Sequence, residues 1–250
     1  MTIINGNRQY RPFSTILFPY NKRMAKELEI IPILSIPGVV FFPNTSLPLF
    51  VAEPLYIQLI HDCIENGTAL GIAMAENDIY YSSGKLKPKN IFGLGRPIIL
   101  EELDDGSLKV LIRGIGRGKI IAEHQHLPYP TYLIERYYDK SDGLKIHGPR
   151  ITRLRAILDE WLVDNIAEPI EREAFLRTLT SIYHVVDYIG MFLIQDKELR
   201  QLLLENESIN ERIYMLNILL KEENPFTEDK GVLSAIKSFE SLEKHAKIGH

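Results

Sequence analysis

The 250-residue chain contains one cysteine, Cys63, one tryptophan, and no apolar run near the roughly 20 residues of a membrane-spanning helix. A lone cysteine rules out an internal disulfide and any multi-cysteine zinc centre. The start, Met1-Thr-Ile-Ile-Asn5-Gly6, lacks the basic-then-apolar order of a secretory signal, so a cytoplasmic protein is expected. Charge of one sign is also scarce: 29 basic against 33 acidic side chains leave a net charge of −4. A body without dense Lys and Arg is poorly suited to gripping phosphate backbones. Ordinary apolar and charged fractions of 45% and 25% predict a folded chain large enough for a sizeable core.

Catalytic signatures are missing as well. No histidine pair has the His-x-x-x-His spacing of a helical metal site. His124-Gln-His126 reads as a solvated strand end. The glycine clusters Gly93-Leu-Gly95 and Gly114-Ile-Gly116-Arg-Gly118 lack the order of a phosphate-cradling loop and are read as bends between strands. No Gly-x-Ser-x-Gly elbow occurs. Cys63 lies on an apolar helical stripe with no activating base beside it, so it reads as core. Neither a metal, nor a cofactor, nor a catalytic residue is assigned, and an unrecognised hydrolase is the weakest of the readings entertained.

What is present divides near residue 140. Before it, β-type runs stand at 30–34, 69–74, 97–101, 109–113 and 132–136, punctuated by turn residues such as Asp104-Asp105-Gly106. Nine of the 14 prolines fall between residues 30 and 138, which predicts short or bent strands in a small barrel or sandwich. Glu53-Pro54 opens a single helix whose stripe runs through Leu59, Ile60 and Cys63 to Gly67. After residue 148 the period becomes helical. Ile151, Leu154, Leu158 and Leu162 form one stripe, and Pro169 opens a second stretch to Leu193 that is either continuous or broken near Thr180-Ser181. Asp196 caps a further helix, and Ser208-Ile-Asn-Glu211 has the form of a capping box for the last. Val232, Leu233, Ile236, Phe239 and Leu242 mark an amphipathic tail. The expected divisions are an extension over 1–28, a β subdomain over 29–138, a helical bundle over 149–221 and a tail or docking helix over 222–250. Residues 139–148 read as the linker, and limited proteolysis is expected to nick within 140–148, or else before residue 28 or after residue 224.

The segment from Ile31 to Tyr56, with Pro37-Gly38-Val39-Val40-Phe41-Phe42-Pro43-Asn44 and Pro48-Leu49-Phe50-Val51-Ala52-Glu53-Pro54-Leu55-Tyr56, closely resembles the N-terminal substrate-binding domain of Lon, the ATP-dependent protease La. The likeness continues at Gly93-x-Gly95, at Asp105-Gly106 through Arg117, at Val186-Asp187-Tyr188-Ile189-Gly190 and at Arg212-Ile213-x-x-Leu216, covering roughly residues 30–221. Asn44 stands where the family has glycine, Leu55 where it has arginine, and Gly118 where an aromatic follows Arg117. The resemblance implies an α+β fold: a small, bent, PUA-like β-barrel with one inserted helix, followed by an α-helical bundle. No Walker lysine loop and no Ser-Lys dyad region are found, so the resemblance implies a stand-alone domain and not the protease.

It also implies non-catalytic recognition of unfolded or partly folded polypeptides, as an adaptor or regulator in protein quality control, with Lon or another protease as a possible partner. No membrane contact is expected, and nucleic acid is an unfavoured partner. An RNA-binding alternative would use Lys85, Lys87, Lys89 and Arg96. A client needs open apolar surface. Two regions are candidates: the β loops with Phe42, Phe92 and Leu94, and the junction with Tyr129, Tyr137 and Tyr138 beside Trp161. The junction is favoured, because clefts between subdomains are common ligand sites. Phe50 is a further aromatic that such a patch would include.

Overall fold

Alternating apolar residues place one side chain in two against a core, and in the computed structural model these runs become a seven-stranded mixed sheet. The structure describes residues 28–80, 86–140 and 148–220. The expected linker core, 141–147, and the terminal segments 1–27 and 221–250 lie outside the described residues. The strands are β1 (Leu28–Ile36), β2 (Ser46–Val51), β3 (Leu70–Tyr80), β4 (Leu86–Pro88), β5 (Ile91–Glu102), β6 (Leu108–Gln125) and β7 (Thr131–Arg136). Their order is β1-β7-β6-β5-β3-β4, with β2 added alongside β6. β1 also pairs in parallel with β3, Ile33 opposite Gly71, so β1, β7, β6, β5 and β3 form a closed circuit. The helix α1 (Pro54–Glu65) lies between β2 and β3 in sequence.

Five helices follow among the described residues: α2 (Gly148–Asn165), α3 (Pro169–Thr178), α4 (Ile182–Phe192), α5 (Lys197–Glu205) and α6 (Ile209–Leu219). Their starts follow the capping residues. The Ser181 hydroxyl accepts from the His184 amide and ends the run that begins at Pro169, while Asp196 and Ser208 cap α5 and α6 in the same way. The single cysteine sits inside, and burial pushes its thiol up to about 11, which leaves it an inert packing residue.

Sheet and helices share one core. Phe41, Phe42 and Leu59 from the first half pack in the same cluster as Leu158, Ile189 and Leu216 from the second. Phe42 is the wedge between the halves. A β-carbon added at Gly190 of α4 would sit 2.9 Å from the Phe42 ring, so glycine there lets α4 approach it. On the far side, Trp161, Phe192, Tyr188 and Phe175 form a continuous aromatic row, with centroids 6.2, 5.6 and 4.9 Å apart. Trp161 thus braces α2 on α4.

Candidate functional site

The residues that carry the sequence motifs meet where the helices seat on the sheet. Asn44 adopts φ +57°, the left-handed conformation for which glycine is best suited and asparagine tolerable. Its amide donates to Asp187 at 2.8 Å. Asp187 also receives the Arg212 guanidinium at 3.3 Å, and Arg212 pairs with Asp139. Arg117 pairs with Asp139 in turn and donates to the carbonyls of Leu204 and Asn206, at 2.6 and 2.9 Å, closing the C-terminal end of α5. Two cations and two carboxylates therefore balance in a site where Arg117, Asp187 and Arg212 are all buried. Burial pushes the Asp187 carboxyl up, and Arg212 and the Asn44 amide pull against it. These motif residues hold the fold together. Of them only Asn44 is exposed, and its side-chain amide is taken by Asp187.

The six candidate contact residues separate sharply. Phe42, Phe92 and Leu94 are fully buried. The expected open patch on the β loops is corrected accordingly: these side chains stand on strands or turns buried from both sides, with Phe42 under α4 and Phe92 filling the space over Gly118. A β-carbon at Gly118 would lie 2.6 Å from the Phe92 ring, which accounts for the glycine where the family has an aromatic. Tyr129 is buried and its hydroxyl donates to Asp62 of α1 at 2.6 Å. Tyr137 is half-buried, donates to the Glu205 carbonyl at 2.8 Å and lies under the Arg117 guanidinium. Burial pushes its hydroxyl up to about 12, so it stays a donor across the physiological range. Tyr138, at 69% exposure, is the one of the six that presents surface.

Larger open apolar surface lies on the outer face of β2, β6 and β5. The register sets three rows across these strands: Phe50–Lys109–Glu101, Pro48–Leu111–Ile98 and Ser46–Arg113–Arg96. The alternate residues Leu47, Leu49, Val110 and Ile112 point into the core. Phe50 is 64% exposed and Ile98 37%, Pro48 is half-buried, and Leu111 between Pro48 and Ile98 is buried beneath them. Lys109 and Glu101 close one end as an ion pair at 2.6 Å. β2 pairs with β6 alone among the described strands, so no described strand occupies its other edge. The Gly114 amide donates to the Thr45 carbonyl, which by alternation turns the backbone groups of Ser46, Pro48 and Phe50 toward that edge. Pro48 removes the central donor, a device that restrains runaway strand pairing. Recognition on this face therefore depends more on side chains than on a backbone ladder.

Other candidate chemistry is accounted for by local contacts. Lys87 pairs with Glu76 at 2.9 Å and Lys89 reaches Glu198 at 3.5 Å, while Lys85 lies outside the described residues, so no free lysine row for RNA is formed among the described residues. His124 contacts the Thr131 hydroxyl at 3.1 Å, and His126 lies 3.4 Å from Glu123. No described helix is long and apolar enough to cross a membrane.

Comparison with known proteins gives the same frame. The family model for the ATP-dependent protease La (LON) substrate-binding domain matches residues 30–222. Lon protease of Elusimicrobium minutum is 27% identical over 230 residues, covering 87% of this chain and 26% of that protein. Lon protease of Anaeromyxobacter dehalogenans is 23% identical over 193 residues, covering 76% and 23%. The chain thus spans about a quarter of the length of these curated relatives. Among solved structures, the Lon N-terminal domain protein from Xanthomonas campestris superposes with a TM-score of 0.54 at 18% identity, over 75% of this chain and 96% of that one. The N-terminal domain of Mycobacterium avium complex Lon protease does so with a TM-score of 0.60 at 14% identity, over 78% and 100%. The chain belongs to the LON substrate-binding domain family.

Proposed function

We propose that this protein binds unfolded or partly folded polypeptides without catalysing their cleavage, and that it acts as an adaptor or regulator in cytoplasmic protein quality control, handing clients to Lon or another protease. The family to which the chain belongs is a substrate-binding one, and that supports the binding role. We read the closed strand circuit as the bent, PUA-like barrel of that family. The observation that carries the location of the site is the outer face of β2, β6 and β5, where exposed Phe50 and Ile98 and half-buried Pro48 surround the buried Leu111, on a sheet whose opposite side is already packed against the core. A client laid there gains burial at little rotamer cost from rings and branched side chains. At the junction, Tyr138 keeps the surface a second contact would need.

Replacing Phe50 by Ser tests the location. Phe50 is mostly exposed, so folding stability should change by no more than about 0.5 kcal/mol. Capture of a reduced, carboxymethylated client should weaken about three- to tenfold, the loss of one partly buried aromatic contact. Fluorescence anisotropy with labelled client measures it. Unchanged capture would place the site elsewhere.

A further inference from the structure

Arg96 and Arg113 are direct cross-strand neighbours on the same outer face, one row beyond Pro48–Leu111–Ile98. Both are exposed, and neither has a hydrogen-bond or ion-pair partner among the described residues. Like charges placed opposite each other across two strands destabilise a sheet. The other described lysines of this face and its neighbourhood are neutralised: Lys109 by Glu101, Lys87 by Glu76, Lys89 by Glu198. In a chain with net charge −4, two adjacent arginines without a partner among the described residues, beside open apolar surface, can take an anion. Two guanidinium forks side by side suit a carboxylate, which each can bind through paired N–H donors.

The spacing defines the ligand further. One row to the next is two residues along a strand, about 7 Å, the same step that separates side chains on one face of an extended client. Resting on the reading that this face binds polypeptides, we propose that Arg96 and Arg113 hold an acidic side chain of the client, so that the surface selects extended segments in which Asp or Glu stands two residues from a large apolar side chain. The apolar residue covers Pro48 and Ile98, the members of the neighbouring row that present surface, and the carboxylate meets the arginine pair. An apolar surface alone would take any unfolded chain; the arginine pair gives it a preference and a register.

The test uses labelled, unstructured, C-terminally amidated 12-residue peptides carrying Asp and Phe two residues apart, their Asp→Asn counterparts, and a free-acid version of the Asn peptide. On the full chain the Asp peptide should bind about three- to tenfold tighter than the Asn peptide, with the difference shrinking as salt rises. The double variant Arg96→Gln, Arg113→Gln should level the two peptides, whereas Phe50→Ser should weaken both and preserve their ratio. Equal binding of the Asp and Asn peptides to the unaltered chain would overturn the proposal while leaving polypeptide binding intact. Tighter binding of the free-acid Asn peptide alone would overturn it in favour of a chain-terminal carboxylate. Displacement of bound peptide by a short RNA but not by unlabelled Asp peptide would overturn it in favour of a phosphate ligand. Binding of neither peptide would remove the polypeptide reading and this inference together.

Discussion

Arg212→Ala should cost about 3–5 kcal/mol of folding stability, the effect expected of breaking a buried ion pair. Arg212 is buried and pairs with both Asp139 and Asp187. Removing it leaves Asp187 in a desolvated site with only the Asn44 amide and the more distant Arg117 to answer it. It also halves the positive charge that ties Asp139, next to the segment 141–147, to the helices. The loss falls on both halves at once, because Asn44 and Arg117 come from the β part while Asp187 and Arg212 come from α4 and α6. Urea denaturation followed by circular dichroism measures it. The transition should stay single and move to lower denaturant. A shift under about 1 kcal/mol would mean that water reaches the site and screens it.

Phe42→Ala should cost about 3–5 kcal/mol, through lost transfer energy and the cavity left between sheet and α4. The ring is fully buried and packs against Gly190, where no side chain can extend to fill the gap. Phe42 was a candidate contact residue on sequence grounds, so this variant also separates packing from recognition. At a temperature and pH where the variant remains folded, its affinity for a denatured client should match that of the unaltered chain. Thermal unfolding and anisotropy, run on the same preparation, read the two effects. A folded variant with several-fold weaker capture would return Phe42 to the binding surface.

Much of the architecture was legible because local signals and tertiary packing agree. The helix starts at Asp196 and Ser208 were readable since each capping side chain satisfies amides of its own helix, an interaction only two or three residues long, while the break at Thr180-Ser181, open on the sequence, is set by the same kind of cap at Ser181. β2 was less legible. Ser-Leu-Pro-Leu-Phe-Val is apolar on both faces and carries a proline, and only its position as an edge strand reconciles that with pairing. β6 extends to Gln125, well past the run recognised at 109–113, because Gly114, Gly116 and Gly118 look like turns in one dimension and are strand positions in three, with Gly114 and Gly118 close-packed.

The site was harder to read for the same reason. An aromatic in a short β run gives no sign of which face it takes, so Phe42 and Phe92 could not be told from Phe50 without the fold. Arg96 stood out as a basic residue, but its partner Arg113 is 17 positions away and becomes its neighbour only through the β5–β6 register. The alternation of Lys109, Leu111 and Arg113 on one face was the available signal. It points outward only once Val110 and Ile112 are known to point in.

Hydroxyl-radical footprinting of the 250-residue chain, with and without a saturating reduced and carboxymethylated client, tests the central claim most directly, since it reads side-chain exposure one residue at a time. Client binding should suppress oxidation of Phe50 and Ile98 severalfold on the outer face of β2, β6 and β5, and leave the buried Phe42 and Phe92 silent in both states. Shielding of Tyr138 with Phe50 unchanged, or no shielding at any side chain, would contradict it.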